Sequence, residues 1–340
     1  MSCVLYLAHT HDGNLPRPAL EGLTAAREIA ALAGLPLAIG LVGTGVEAAA
    51  GSLAGTGASR FLAVEGEAYA NGRYHSDAAA AEALCRNAQP ALVVVAGTSR
   101  WNRVLAGVAH RLGGAVDTHV CGWRLESGEL AVTRWYYRQR MKGVLSRTRR
   151  PWLLAVDPGV CPASELQPGS AEVAKVPVTG APSRTRVEAI KEPPAAQQTI
   201  RPDADLLFVA GAGWTKKQRD GQHHLAEAER LILDFLRLSQ ASLGGSKSMV
   251  DLSSEGQKVL SFMTHLNQVG QTGSSPRHPK GLAACCHGEE PHVVGWRFIN
   301  ERRAINIDPN CGWAQGKADV LYVADAFEVM AKVNELLAQR

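Results

Sequence analysis

The sequence contains no uninterrupted apolar run of about 18 residues or more, the length a membrane-crossing helix requires, so no membrane insertion is expected. Its opening, MSCVLYLAHTHDG, has neither a basic start nor a long apolar core, and Cys3 to Ala8 is strand-sized, so no secretion is implied. Cysteines number seven, few and odd, which fits a reducing, cytoplasmic setting better than a disulfide framework. Charge of one sign is not in excess: 36 Lys and Arg against 32 Asp and Glu leave +4, too little to imply a nucleic-acid partner. The dinucleotide fingerprint is incomplete, because Gly211 and Gly213 follow a strand pattern without the third glycine, and no Walker lysine motif is present. No Ser/His/Asp or paired-carboxylate constellation stands out either. Asp157 and His119 are acid–base candidates with no partner identifiable from sequence.

What is present is a rhythm of short apolar runs and alanine-rich helical patterns. VLYLAHT (4–10), LPLAIGLVG (35–43), RFLAVEG (60–66) and ALVVVAGTS (91–99) read as buried strands, with helices at 19–34, 76–88 and 103–114. From Thr118 the pattern turns to alternation around an ESGE turn, an antiparallel excursion, before PWLLAVDPG and AEVAKVPV return as strands. At 340 residues two domains are expected. The pattern divides into an N-terminal α/β domain (1–190), a Pro-rich linker (191–203) and a second domain (204–340). The fold class is α/β, each domain a mainly parallel sheet covered by helices. In the second, ADLLFVAGAGW (204–214), a helix at 224–240, RAINIDP (303–309), DVLYVAD (319–325) and a C-terminal helix suggest a doubly wound nucleotide-binding domain.

Three stretches carry candidate chemistry. GGSKS and VGQTG both offer small residues, convergent backbone N–H groups and a polar side chain, which suits an anionic cofactor at a helix N-terminus, although ordinary turns have the same composition. AACCHGEEPHVVGW (283–296) could offer Cys285, Cys286, His287 and His292 to a metal, but a second half-site is not evident beyond Cys311 and the pair His223 and His224. Adjacent cysteines also occur as small buried hydrophobes. The basic stretches TKKQRDGQHH and SRTRR read as solvated faces, because no nucleic-acid fold signature accompanies them.

Taken together, QVGQTG, HGEEPH, INID and ADVLYVADAFEV resemble the alpha subunit of electron transfer flavoproteins, a family with a VGQTG turn, an SGAIQH loop, an INKD strand end and an AD-x-x-x-x-AD-x-F run. GGSKSMVD resembles the family's GASRAAVD, and the likeness extends to the N-terminal strand and helix. The resemblance implies an FAD-binding C-terminal domain in a heterodimer with a beta subunit. It implies an electron carrier, not a substrate-transforming enzyme, which takes electrons from a flavin-dependent dehydrogenase and passes them to a quinone oxidoreductase of the respiratory chain.

By the same resemblance Ser246 faces the phosphates and Lys247 supplies positive charge near the ring, while Val269, Gly270, Gln271 and Thr272 line the flavin. His287 and Gly288 fall on the loop's serine and glycine, His292 reaches the carbonyl edge of the isoalloxazine, and Asn306 and Asp319 hold the ribose and adenine end. Three departures stand out. Gly213 replaces an arginine, Lys247 replaces another and loses its planar fork, and Glu289 and Glu290 bring like charge towards a pyrophosphate. These motivate the alternative of a structural or assembly subunit that kept the fold and lost FAD. A metal or redox-thiol protein using Cys285 and Cys286 is the third reading.

Overall fold

Every residue of β1 (Val4–Thr10) except His9 is buried in a computed structural model of the chain, because helices cover both faces of its sheet. The structure describes residues 2–137, 141–179, 184–190, 200–201, 204–254, 259–269, 275, 278–285, 299–310 and 318–339. They divide into two units, Met1–Ile190 and Lys191–Arg340.

In the first unit β1 is flanked by β2 (Leu37–Gly43) and β4 (Leu92–Ala96), both parallel to it. The sheet extends through β3 (Arg60–Glu65) to β9 (Val173–Lys175) on one side, and through β8 (Trp152–Val156) to β5 (Ala115–Glu126) on the other. β6 (Glu129–Tyr136) and β7 (Met141–Leu145) then add antiparallel, as the alternating pattern after Thr118 predicts. Period-two alternation splits the core: Val4, Tyr6 and Ala8 pack on one side with Leu23, Ala26 and Ile29 of α1 (Arg17–Ala33). Leu5 and Leu7 pack on the other with Leu84 of α3 (Tyr74–Ala88) and Leu105 of α4 (Ser99–Arg111). Each such Val, Leu or Ile side chain contributes about 1.5–3 kcal/mol by burial. Alanine and glycine let the layers close: a Cβ on Gly22 would stand 3.0 Å from the Ala96 nitrogen.

The start of α4 and the presence of a short helix after β2 differ from the sequence reading for local reasons. α4 begins at Ser99 instead of 103, because the Thr98 side chain accepts from the Trp101 N–H at 3.3 Å and caps the helix directly after β4. The seven-residue α2 (Val46–Ser52) is too short to give a readable helical period.

The second unit is a wholly parallel sheet of β10 (Leu206–Ala210), β11 (Ser242–Gly245), β12 (His278–Ala284), β13 (Ile299–Asn306) and β14 (Val320–Val323), in the order β11-β10-β12-β13-β14. On one face α5 (Leu225–Ser239) and α7 (Ala326–Ala338) bury Leu231, Phe235 and Met330 against Phe208 and Ala210. α6 (Lys247–Ser254) follows β11. Ile200 already packs with Leu207 and Val269, and Arg201 N donates to Ser242 Oγ at 2.7 Å, so packing of this unit begins within the segment expected to link the domains.

Candidate functional site

The order of this sheet dictates where a ligand fits. β10 is followed by β11 on one side and β12 on the other, so the chain changes winding direction between β10 and β12, and a crevice opens outside their carboxyl ends. At the β10 end, Gly211 N donates to Ala284 O and Gly213 N to Cys285 O, both at 2.9 Å, which ties the Ala212–Thr215 turn to the end of β12. Trp214 is fully buried, its ring 4.6 Å from that of Phe327, and its indole N–H has no partner among the described residues.

Beside this turn, GGSKS and the entry to VGQTG come together. Ser246 N donates to Ala210 O at 2.9 Å, and Val269 N donates to Gly245 O at 3.0 Å. Glycine is required for that approach: an added Cβ at Gly244 would lie 2.4 Å from Val269 Cγ2, and one at Gly245 2.3 Å from Met263 Cε. Ser246, 3% exposed, accepts from Met249 N at 3.3 Å and caps α6, which leaves its own hydroxyl proton to donate. Lys247 opens the same helix, half-exposed, its Nζ 3.5 Å from Asp251 Oδ2, so part of its charge is answered within the helix.

On the far side Asn306 ends β13, buried, its Oδ1 accepting from Asp308 N at 3.0 Å. Asp319 does not join it. It precedes β14 at the amino end, where its carboxylate accepts from Arg302 N at 2.6 Å and pairs with the Arg302 guanidinium at 2.9 Å, which holds its pKa below the usual range. Arg302 and Asn306 are four residues apart on one strand, about 13 Å, so Asp319 stands at the opposite edge from the crevice. The carboxylate at the crevice edge is Asp325, which caps α7 by accepting from Phe327 N at 2.8 Å. ADVLYVAD carries both aspartates, and only the strand direction separates them: the second follows β14 and the first precedes it.

Cys285 adopts a left-handed φ of 57° at the end of β12. Burial, with the Asp325 carboxylate adding to it, pushes its thiol up to about 12, so it is protonated and unreactive at neutral pH. His223 Nδ1 lies 2.9 Å from Thr215 O and His224 Nε2 2.7 Å from Asp220 Oδ2. Among the described residues no group of three or more His, Cys, Asp or Glu side chains could hold a metal ion. Gly270, Gln271, Thr272, Cys286, His287, Gly288, Glu289, Glu290, His292 and Cys311 lie outside the described residues.

The first unit holds a pairing that the sequence alone does not disclose. His119 Nδ1 lies 3.2 Å from Asp157 Oδ1 across 38 residues, with His119 at a left-handed φ of 58° where the register of β5 shifts.

A model of the electron transfer flavoprotein domain matches residues 4–181, more than half of the chain. The chain belongs to the electron transfer flavoprotein family. Its relatives span both units: it is 27% identical to the electron transfer flavoprotein subunit alpha of Syntrophomonas wolfei over 330 residues, 96% of each chain. Against the subunit alpha of Clostridium acetobutylicum identity is 26% over 99% of this chain and 96% of that one. Protein FixB of Clostridium saccharobutylicum is 25% identical over 99% of this chain and 95% of its own. Membership of this flavoprotein family supports an electron-transfer role, and the two mainly parallel, helix-covered sheets accord with it. No helix among the described residues is long and apolar enough to cross a membrane.

Proposed function

We propose that the chain is the FAD-binding alpha subunit of a heterodimeric electron transfer flavoprotein, accepting electrons from a flavin-dependent dehydrogenase and passing them to a quinone oxidoreductase. The observation that carries this reading is the meeting of Ser246 and the Val269 turn at the crevice where the second sheet changes winding direction. The described donor set fits the anionic end of a dinucleotide. Ser246 keeps a free hydroxyl proton at the start of α6, whose first N–H groups and positive dipole end favour negative charge.

In this assignment Ser246 and the α6 N-terminus hold the phosphates, and Lys247 supplies a nearby positive charge. Val269, Gly270, Gln271 and Thr272 are assigned to the ring, and His287 and Gly288 to the same cofactor. His292 donates towards the ring's carbonyl edge, where a donor stabilises reduced, negatively charged flavin. Asn306 and Asp325, in place of Asp319, serve the ribose and adenine end. FAD, when bound, supplies the one- and two-electron chemistry; the protein binds it, orients it and tunes its charge. The partner that completes the heterodimer is an electron transfer flavoprotein beta subunit.

The test is the visible spectrum of the chain co-purified with its beta partner. Flavin bands that follow the protein and are lost with Ser246→Ala and Thr272→Ala together support the reading. No flavin bands even after FAD is added would refute it and favour an assembly subunit that lost the cofactor. Gly213 motivates that second reading, because only a backbone N–H stands where the family has an arginine.

A further inference from the structure

The basic run SRTRR has no part in the flavin reading, and the fold gives it a specific setting. Residues 146–150 leave β7 and return past the first residues of β5 to the start of β8. Between this segment and Gly114–Val116 lies a groove of about 490 Å³, lined by Gly114, Ala115, Val116, Ser146, Arg147, Thr148 and Arg149. That volume is in the range of small-molecule sites.

Its wall is built on a fully buried carboxylate. Asp117 Oδ2 accepts from Arg147 Nε at 3.0 Å and from Trp152 Nε1 at 2.9 Å, while Oδ1 accepts from Arg147 at 3.0 Å and Arg134 at 2.9 Å. Burial by itself would favour the neutral acid, but the hydrogen bonds from Arg147, Trp152 and Arg134 prevail and hold the Asp117 carboxyl below the usual range. One carboxylate therefore answers two guanidiniums, and a positive charge is left over. The two-point grip also fixes the plane of Arg147, with its remaining nitrogen not used by Asp117. A cation already held in place loses less freedom on binding an anion.

The other groove groups are unengaged. Among the described residues the Arg149 guanidinium and the Ser146 and Thr148 hydroxyls have no hydrogen-bond or ion-pair partner. Arg150 adds a further positive charge, its guanidinium 5.8 Å from the Trp152 ring. Two lining guanidiniums and two hydroxyls are all donors, and they suit an anion with several acceptor oxygens and more than one negative charge. Guanidinium forks match phosphate in particular. The lining residues include no aromatic ring on which a base could stack, so nothing here favours single-stranded nucleic acid.

We infer that the groove between Gly114–Val116 and Ser146–Arg149 is a binding site for a small phosphate-bearing ligand, separate from the flavin crevice of the second unit. Titration calorimetry of the full-length chain, purified with FAD so that its own pyrophosphate site is filled, tests this with inorganic pyrophosphate as the probe and citrate as a carboxylate control.

The expected result is saturable pyrophosphate binding that weakens as salt is added, and weaker binding of citrate. Arg149→Gln, at an exposed position, should weaken pyrophosphate about tenfold, and Thr148→Val about threefold, the scale of one charge-assisted and one neutral hydrogen bond. In the unmodified protein, pyrophosphate should protect Arg149 from phenylglyoxal, read by mass spectrometry. Absence of saturable binding, binding unchanged in Arg149→Gln, an unprotected Arg149, or citrate bound as tightly as pyrophosphate would each overturn the inference. A chain that, co-purified with its beta partner, binds no FAD but still binds pyrophosphate at Arg149 would sink the flavin reading and leave this one standing.

Discussion

His9 makes the first unit acid-sensitive, and the size of the effect follows from its surroundings. Its ring stacks on Trp101 at 3.9 Å, and Nε2 lies 3.5 Å from Asp77 Oδ1, too long for a good hydrogen bond. Asp77 is already held by the Arg100 guanidinium at 2.7 and 3.0 Å. Burial is the largest influence on His9, and the Arg100 and Arg103 charges add to it. Together they prevail over the Asp77 carboxylate and lower the pKa from 6.5 to about 4. The folded unit thus keeps His9 neutral while the unfolded chain takes up a proton below pH 6.5, so stability falls as pH drops from about 6.5 to about 4. Over that whole interval the loss is roughly 3 kcal/mol, and between pH 7 and pH 5 it is about 2 kcal/mol. Hydrogen exchange of β1 peptides, measured at both pH values, reports the unfolding free energy of this unit. His9→Gln is expected to lower stability at pH 7 but to lose about 2 kcal/mol less than the parent on going to pH 5. Equal losses in the two proteins would refute the reasoning.

Asp117→Ala strands Arg134, Arg147 and the Trp152 N–H around a vanished carboxylate, and should destabilise the first unit by about 3–5 kcal/mol in urea unfolding; a loss under about 1 kcal/mol would contradict the network. Ser246→Ala removes the α6 cap, with an expected cost of about 1 kcal/mol in the second unit and weaker FAD retention on gel filtration. His224 should titrate above 6.5 by NMR, because the Asp220 carboxylate stabilises its charged form, with a smaller contribution from Glu227. Asp220→Asn should bring its midpoint down. What this pairing contributes is present at low pH and lost as pH rises through the folded pKa.

The sequence by itself determined the architecture where the pattern is local. Apolar runs on both faces of β1, β2 and β4 allow only a covered parallel sheet, and alternation after Thr118 allows only an antiparallel extension. The glycines of GGSKS and the small-residue turn after Val269 also marked one candidate site without any knowledge of contacts. Strand direction was not legible. Asp319 and Asp325 belong to one short motif, yet only the parallel pairing of β13 and β14 decides which of them stands at the crevice. Nor could spacing pair His119 with Asp157, or bring Asp117, Arg134, Arg147 and Trp152 to one buried point. Those partners are 17 to 38 residues apart along the chain, and periodicity speaks only of neighbours within a few turns or strands. What brings them together is the packing of the sheet, because a buried carboxylate is tolerated only where guanidiniums and N–H groups converge on it.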